Sequence, residues 1–163
     1  MLCDPKKGML EPQVFEKMIE PADINQGQLA DCWFLSACSS LAEMPSLVER
    51  LFITQQYNDE GVYKIKVCKD GEWKEVTVDD YFPCFPLAGP IFSRANNNEL
   101  WVLLLEKAYA KLHGNYKALV GGAPHEALMD LTGCPTVSLK IQDESVQKMA
   151  ESGSLWRMLL SWD

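Results

Sequence analysis

The sequence predicts an α+β fold in which helix predominates. Three observations carry that reading: two stretches, 29–44 and 98–113, repeat apolar residues at helical spacing; residues 63–78 alternate apolar and polar side chains around an Asp-Gly pair; and shorter helix-sized segments with glycine stops fill the C-terminal part.

In 29–44, Phe34, Ala37, Cys38 and Leu41 fall at i, i+3, i+4 and i+7, one buried helix face. Asp31 stands at its start, where a carboxylate can cap free backbone N–H groups, and Pro45 ends it. Residues 46–52 read as a second short helix opened by Pro45 and Ser46. Tyr63, Ile65 and Val67 then alternate with Lys64 and Lys66, the period of a strand. Asp70-Gly71 supplies a tight primed turn, and 73–78 returns with Val76 and Val78 on one face. Lys69 and Lys74 flank the turn as solvated charges. Asp79-Asp80 ends the strand or caps a turn. Pro83, Pro86, Gly89 and Pro90 mark a loop.

The helix over 98–113 carries one apolar stripe, Trp101, Leu104, Leu105, Ala108, Tyr109 and Leu112. Glu106 and Lys107 fall off it, and Gly114 stops it. Downstream, 124–131 reads as a helix closed by Gly133 and 143–151 as another closed by Gly153, with a short strand over 136–141 between them.

A chain of 163 residues, 47% of them hydrophobic, fits one domain with a real core and is short for two. The net charge of −8 argues against a nucleic-acid binder, which needs a basic stripe, and against simple docking on anionic lipid. No apolar run approaches the roughly 18 residues of a membrane helix. Residues 1–10 hold Lys6 and Lys7 with no apolar stretch behind them, so no secretory leader and an intracellular, cytoplasmic location are expected. Thiols stay reduced there. Cys3, Cys32, Cys38, Cys68, Cys84 and Cys134 are scattered, without zinc spacing, and most are expected as small buried hydrophobes rather than as disulfides.

The informative segment is 26–35, Gln-Gly-Gln-Leu-Ala-Asp-Cys-Trp-Phe-Leu. A glycine-containing loop runs into a helix, and Cys32 stands in the first turn. Unpaired N–H groups and the helix dipole put partial positive charge at such a position, which suits a thiolate nucleophile. The Gln26 side-chain amide lies six residues upstream. With the Cys32 backbone N–H it would make two donors of an oxyanion hole. A packed helix cysteine and a polar loop glutamine are the alternative reading of the same two residues.

Gln26, Gly27, Leu29, Asp31, Cys32, Trp33, Phe34 and Leu35 resemble the active-site stretch of the calpain family, within the clan of papain-like cysteine endopeptidases; Ala30 stands where that family usually has glycine. Further motifs follow in the family's order: Gly71-Glu72-Trp73, Val78-Asp79-Asp80 and Pro83; the helix Leu104-Leu105-Glu106-Lys107-Ala108-Tyr109-Ala110-Lys111 with Gly114 and Tyr116; then Gly121-Gly122, Thr132-Gly133 and Gly153-Ser154-Leu155. The resemblance covers about residue 14 to the end.

It implies the N-terminal half of a papain-like proteinase fold, with a central helix bearing the cysteine and a β-hairpin. Residues 1–13 would be a lead-in, and 14–163 the first subdomain of a calpain protease core, ending near the junction with a second subdomain. Cys32 would be the nucleophile and Gln26 the oxyanion donor. The base histidine and its orienting asparagine would come from the second subdomain, because the family's Gly-His-Ala-Tyr and Asn-Pro-Trp-Gly motifs do not occur here. His113 and His125 are read as structural or surface residues. The resemblance also implies a regulatory Ca²⁺, held by the Asp23 and Glu99 side chains and the Glu16 and Met18 carbonyls, hard oxygen ligands suited to that ion. Met18 replaces a usual glycine in this loop, and Pro21 a usual arginine. Two functions follow as expectations: the Cys-bearing half of a calcium-dependent endopeptidase that cleaves protein substrates through an acyl-enzyme, or a catalytically incomplete module acting in calcium or protein binding.

Overall fold

The structure is a computed structural model that describes residues 2–3, 12–16, 18–86, 88–95 and 98–162. In chain order its elements are β1 (Leu2–Cys3), β2 (Ile24–Asn25), α1 (Cys32–Ala42), α2 (Pro45–Glu49), β3 (Val62–Lys69), β4 (Glu72–Asp79), β5 (Phe82–Phe85), β6 (Gly89–Pro90), β7 (Arg94–Ala95), α3 (Trp101–Leu112), α4 (Pro124–Thr132), α5 (Glu144–Glu151) and α6 (Ser154–Leu160). Short 3-10 turns lie at Pro21–Asp23 and Tyr116–Leu119. The strands make small antiparallel sheets, ordered β1-β5-β6, β2-β7 and β3-β4, beside the helices. This is the mixed α and β class that the sequence patterns predict.

The hairpin forms where its alternation places it. Lys69 pairs with Glu72 and Val62 with Asp79. Both turn residues take positive φ, 56° at Asp70 and 79° at Gly71, the backbone of a primed turn. Tyr63, Ile65 and Val67 are buried together with Val76 and Val78. This inner face packs against α3, which also lies on β7 and on the 116–119 turn. On its other side α3 meets α1: the Phe34 and Tyr109 rings stack with centroids 4.4 Å apart. α1 is packed in turn by α2 and α4. Burial of these apolar faces is what stabilises the assembly.

Several expectations change. Residues 136–141 form no strand, and Val137 and Ile141 are largely exposed. Alternation there meets no neighbouring strand, and a strand without a partner leaves its backbone unpaired. Within the expected loop over 83–90, β5 and β6 pair, with Cys84 opposite Pro90. Pro90 is tolerated because β6 is a short edge strand that does not need its missing donor. The helix expected over 46–52 stops at Glu49; Leu51 and Phe52 turn to the hairpin, where the Lys66 N–H donates to the Leu51 carbonyl. Lys69 is not simply solvated: its Nζ lies 2.9 Å from Oδ2 of buried Asp130. Glu106 does not fall off the apolar stripe. It is 2% exposed, because α3 is enclosed on nearly all sides. Ser154–Leu160 adds a helix that the patterns did not suggest.

Cys38 and Cys68 are buried free thiols, as expected, whereas Cys32 and Cys134 are free and exposed. Cys84 departs from the all-reduced expectation: it is disulfide-bonded. Buried in the three-stranded sheet, it was legible as an apolar residue but not as a bonded one. Among the described residues, no helix is long and apolar enough to cross a membrane.

Candidate active site

Cys32 is the first residue of α1 and is exposed, so its thiol stands at the solvent-facing start of the helix. Asp31 occupies the N-cap position, and its backbone carbonyl accepts from the Phe34 and Leu35 N–H groups at 2.8 and 3.1 Å. The expected side-chain cap does not form: the Asp31 side chain makes no capping hydrogen bond and is buried instead. The first turn of α1 therefore has no side-chain acceptor across its N–H groups, which point out beside Cys32.

The preceding loop is seated by close backbone contact. A Cβ on Gly27 would lie 1.7 Å from the Phe92 carbonyl oxygen, which no side chain survives, so only glycine fits. The neighbouring Gln28 N–H donates to the Ile91 carbonyl at 2.9 Å. Gln26 is exposed, and its Nε2 donates to the Leu29 carbonyl at 2.9 Å. One amide hydrogen is thus used to fix the side chain, leaving a second for another acceptor. Ala30, where the family usually has glycine, costs no backbone strain: among the described residues Asp70 is the only non-glycine with positive φ.

Behind Cys32 the site is rigid. Trp33 Nε1 donates to the Leu119 carbonyl at 2.8 Å, a buried bond. The Trp33 ring meets Tyr109 edge-on at 6.0 Å. The Gly121 N–H donates to the Ala30 carbonyl at 3.1 Å, so the 121–122 backbone closes over the start of α1. Beneath it, the buried carboxyl groups of Asp31 and Glu106 face each other. Burial raises both groups, with Glu106 pushed up to about 8. The sequence patterns missed this pair. The one available signal was a glutamate flanked on α3 by Leu104, Leu105, Ala108 and Tyr109.

The two histidines stand at the end of α3 and the start of α4. His113 caps the end of α3, with Nδ1 2.9 Å from the Tyr109 carbonyl and its ring 4.3 Å from the Tyr109 ring. His125 follows Pro124 in the first turn of α4 and is half-buried. A cavity of about 500 Å³ lies between α3 and the hairpin, lined by Thr77, Lys107, Lys111 and Tyr116. Its lysines are committed, Lys107 Nζ to Asp79 Oδ1 at 2.7 Å and Lys111 Nζ to the Thr77 carbonyl at 2.6 Å. The chemistry-bearing residues therefore lie on an open surface rather than in this cavity.

The four residues expected to hold Ca²⁺ lie on two segments. Glu99 is buried just before α3, and its Oε1 accepts from the Glu16 N–H at 2.8 Å. This draws a carboxylate onto the 12–20 loop that carries the Glu16 and Met18 carbonyls. Asp23 closes the 3-10 turn, its Oδ2 accepting from the Glu20 N–H at 2.8 Å. Met18 is exposed and has no positive φ, so replacing the usual glycine does not strain the loop. Among the described residues, no three His, Cys, Asp or Glu side chains converge. An ion here would take carbonyl oxygens for half of its protein ligands, a hard-oxygen set that fits Ca²⁺ in kind.

Comparison with known proteins agrees with this geometry. A family profile described as calpain family cysteine protease matches residues 3–162. The chain is similar to "Calpain-type cysteine protease DEK1" of Zea mays, 46% identical over 151 residues, covering 92% of this chain and 7% of that protein. It is similar to "Calpain-10" of Mus musculus, 40% identical over 136 residues, covering 79% of this chain and 20% of that protein. It is also similar to "Calpain-B" of Drosophila melanogaster, 37% identical over 154 residues, covering 89% of this chain and 17% of that protein. The chain thus spans a fifth or less of the length of these curated relatives.

Proposed function

This chain belongs to the calpain family of cysteine proteases, and we propose that it is the cysteine-bearing first subdomain of a papain-like endopeptidase core that acts on protein substrates inside the cell. The observation that carries this reading is the exposed Cys32 at an α1 start left uncapped by the Asp31 side chain, in a chain whose upstream Gln26 amide is fixed by the Leu29 carbonyl.

In this mechanism Cys32 Sγ, as thiolate, attacks the scissile carbonyl carbon. The new C–S bond forms as the carbonyl π electrons move to oxygen. The Cys32 N–H and the second Gln26 amide hydrogen donate to that oxyanion, holding charge that develops only as the reaction proceeds. The amine leaves with a proton from a base, and water then cleaves the acyl-enzyme. The base comes from a second subdomain, with an asparagine to orient it; neither family motif for those residues occurs in this sequence, and His113 is bonded to the Tyr109 carbonyl at the end of α3. Cleavage of this kind in folded partners is limited to exposed segments that can enter the cleft. Asp23, Glu99 and the Glu16 and Met18 carbonyls would hold Ca²⁺, which supplies charge that ties the 12–23 loop to the start of α3 and so makes the protease calcium-dependent.

The test is thiol labelling of this chain assembled with the second half of a calpain core. An epoxysuccinyl electrophile should modify Cys32 much faster than Cys134, an exposed free thiol in the same molecule. Equal rates would overturn the reading in favour of a non-catalytic binding module.

A further inference from the structure

Two buried acids lie directly beneath the candidate nucleophile, and no step of the chemistry uses them. Asp31 is 1% exposed and Glu106 2%. Neither Asp31 carboxyl oxygen has a well-formed hydrogen bond from any N–H or O–H group of the described residues. Its side-chain partner is the Glu106 carboxyl. Glu106 is otherwise engaged: the Ser93 N–H donates to both its oxygens at 3.1 Å, and the Ser93 hydroxyl donates to Oε2 at 2.7 Å.

These contacts link the two halves of the site. On one side Glu106 meets Asp31, whose next residue is Cys32. On the other it holds Ser93, at the end of the 91–93 segment whose carbonyls seat Gly27 and Gln28, the neighbours of Gln26. The geometry points to Asp31 and Glu106 as positioning residues that share one proton and, through it, lock the Cys32 helix start to the segment that seats the Gln26 loop. This rests on the reading of Cys32 as nucleophile and Gln26 as oxyanion donor.

A shared proton satisfies both acids best. Two buried carboxylates in contact repel, and two neutral acids leave the three Ser93 contacts without a charged acceptor. With one proton, an O–H bridges the acids and a carboxylate accepts from Ser93. Among the described residues, no neighbour supplies a compensating cation. On α1 the facing group is the Cys38 thiol, pushed well up by burial and then by Glu106 and Asp31. From the 116–119 turn it is the Tyr116 phenol, also raised, by burial first and then by Glu106, Asp79 and Asp31. Phe82 and Pro83 of β5 carry no charge. On α3 itself Lys107 is spent on Asp79, and Arg94, next to Ser93, is exposed and donates to the Pro90 carbonyl.

The test is a pH series on the assembled core, wild type against Glu106→Gln and Asp31→Asn, which keep shape and a bridging donor but remove the shared proton. Difference infrared spectroscopy should show a protonated-carboxyl band at neutral pH in the wild type that Glu106→Gln lacks. As that band titrates away at alkaline pH, the preference of the electrophile for Cys32 over Cys134 should fall several-fold in the wild type and stay level in Glu106→Gln. Absence of the band at neutral pH overturns the proposal. So does a Glu106→Gln core whose Cys32 preference falls with the same pH profile as the wild type. A wild type with the band but no Cys32 preference at any pH overturns the nucleophile reading, and the positioning role with it.

Discussion

A Cβ on Gly122 would lie 2.3 Å from Cε2 of Trp33, so the backbone at 122 rests directly on the indole that follows Cys32. Gly122→Ala must displace the ring or the chain. Overpacking of this kind costs about 1–3 kcal/mol, and here it also threatens the buried Trp33–Leu119 hydrogen bond. Urea unfolding should show the loss. Trp33→Phe vacates part of the space, so the double variant should lose less than the sum of the single ones; simple additivity would refute the contact.

Gln26→Ala removes an exposed side chain whose one described bond is to Leu29. Its effect on stability should be small. Its effect on kcat of the assembled protease should be large, about 10²–10³-fold, the usual cost of one oxyanion donor, with KM little changed. A variant with unaltered kcat would remove Gln26 from the mechanism.

Asp130 ties α4 to two other elements: its Oδ2 accepts from Tyr109 Oη at 2.8 Å and from Lys69 Nζ at 2.9 Å. Asp130→Ala strands a buried hydroxyl, which costs about 1–3 kcal/mol, while the lysine can turn to water. Asp130→Asn retains an acceptor and should cost less. Denaturant midpoints rank the two, and the reverse order would show that the charge, not the acceptor, matters there.

The Asp31–Glu106 pair also makes stability pH-dependent. Below the ordinary value of 4.5, Glu106 is protonated whether the chain is folded or not. Above it the unfolded chain releases the proton while the folded chain keeps it up to about 8. Stability therefore falls as pH rises through this window, by up to ~1.4 kcal/mol per unit for one proton, and levels off beyond it. Asp31, raised in the same direction, adds to the slope. Thermal unfolding of Glu106→Gln should show a shallower decline over the same range; an unchanged slope would count against a buried proton.

Millimolar Ca²⁺ should raise the melting temperature, by ligand linkage, and Asp23→Asn should abolish the rise. Asp23→Asn keeps an acceptor for the Glu20 N–H, so the fold is preserved and the comparison is clean. A wild-type chain indifferent to Ca²⁺ would exclude the site.

The elements most legible in the sequence are those whose pattern is local. The β3–β4 hairpin follows from alternation and one Asp-Gly turn, and α1 and α3 from apolar spacing. The parts that failed depend on distant partners. Residues 136–141 alternate but have nothing to pair with, while β5 and β6 pair despite their prolines. The candidate site divides the same way. Cys32 at a helix start was visible as a motif, and the structure keeps it exposed there. The inward turn of Asp31 was not, because a carboxylate at an N-cap ordinarily bonds its own helix, whereas the group this one faces is Glu106, 75 positions away by the numbering. The disulfide at Cys84 leaves no trace in spacing.

An N-cap carboxylate typically stabilises its helix by about 1 kcal/mol, and α1 forgoes that. Had Asp31 folded back over its own helix end, its oxygens would have covered N–H groups of the first turn next to Cys32. A fixed negative charge would then have stood one residue from the proposed nucleophile, competing with any developing oxyanion. Turning the carboxyl inward leaves the N–H groups to water, an occupant that any substrate can displace.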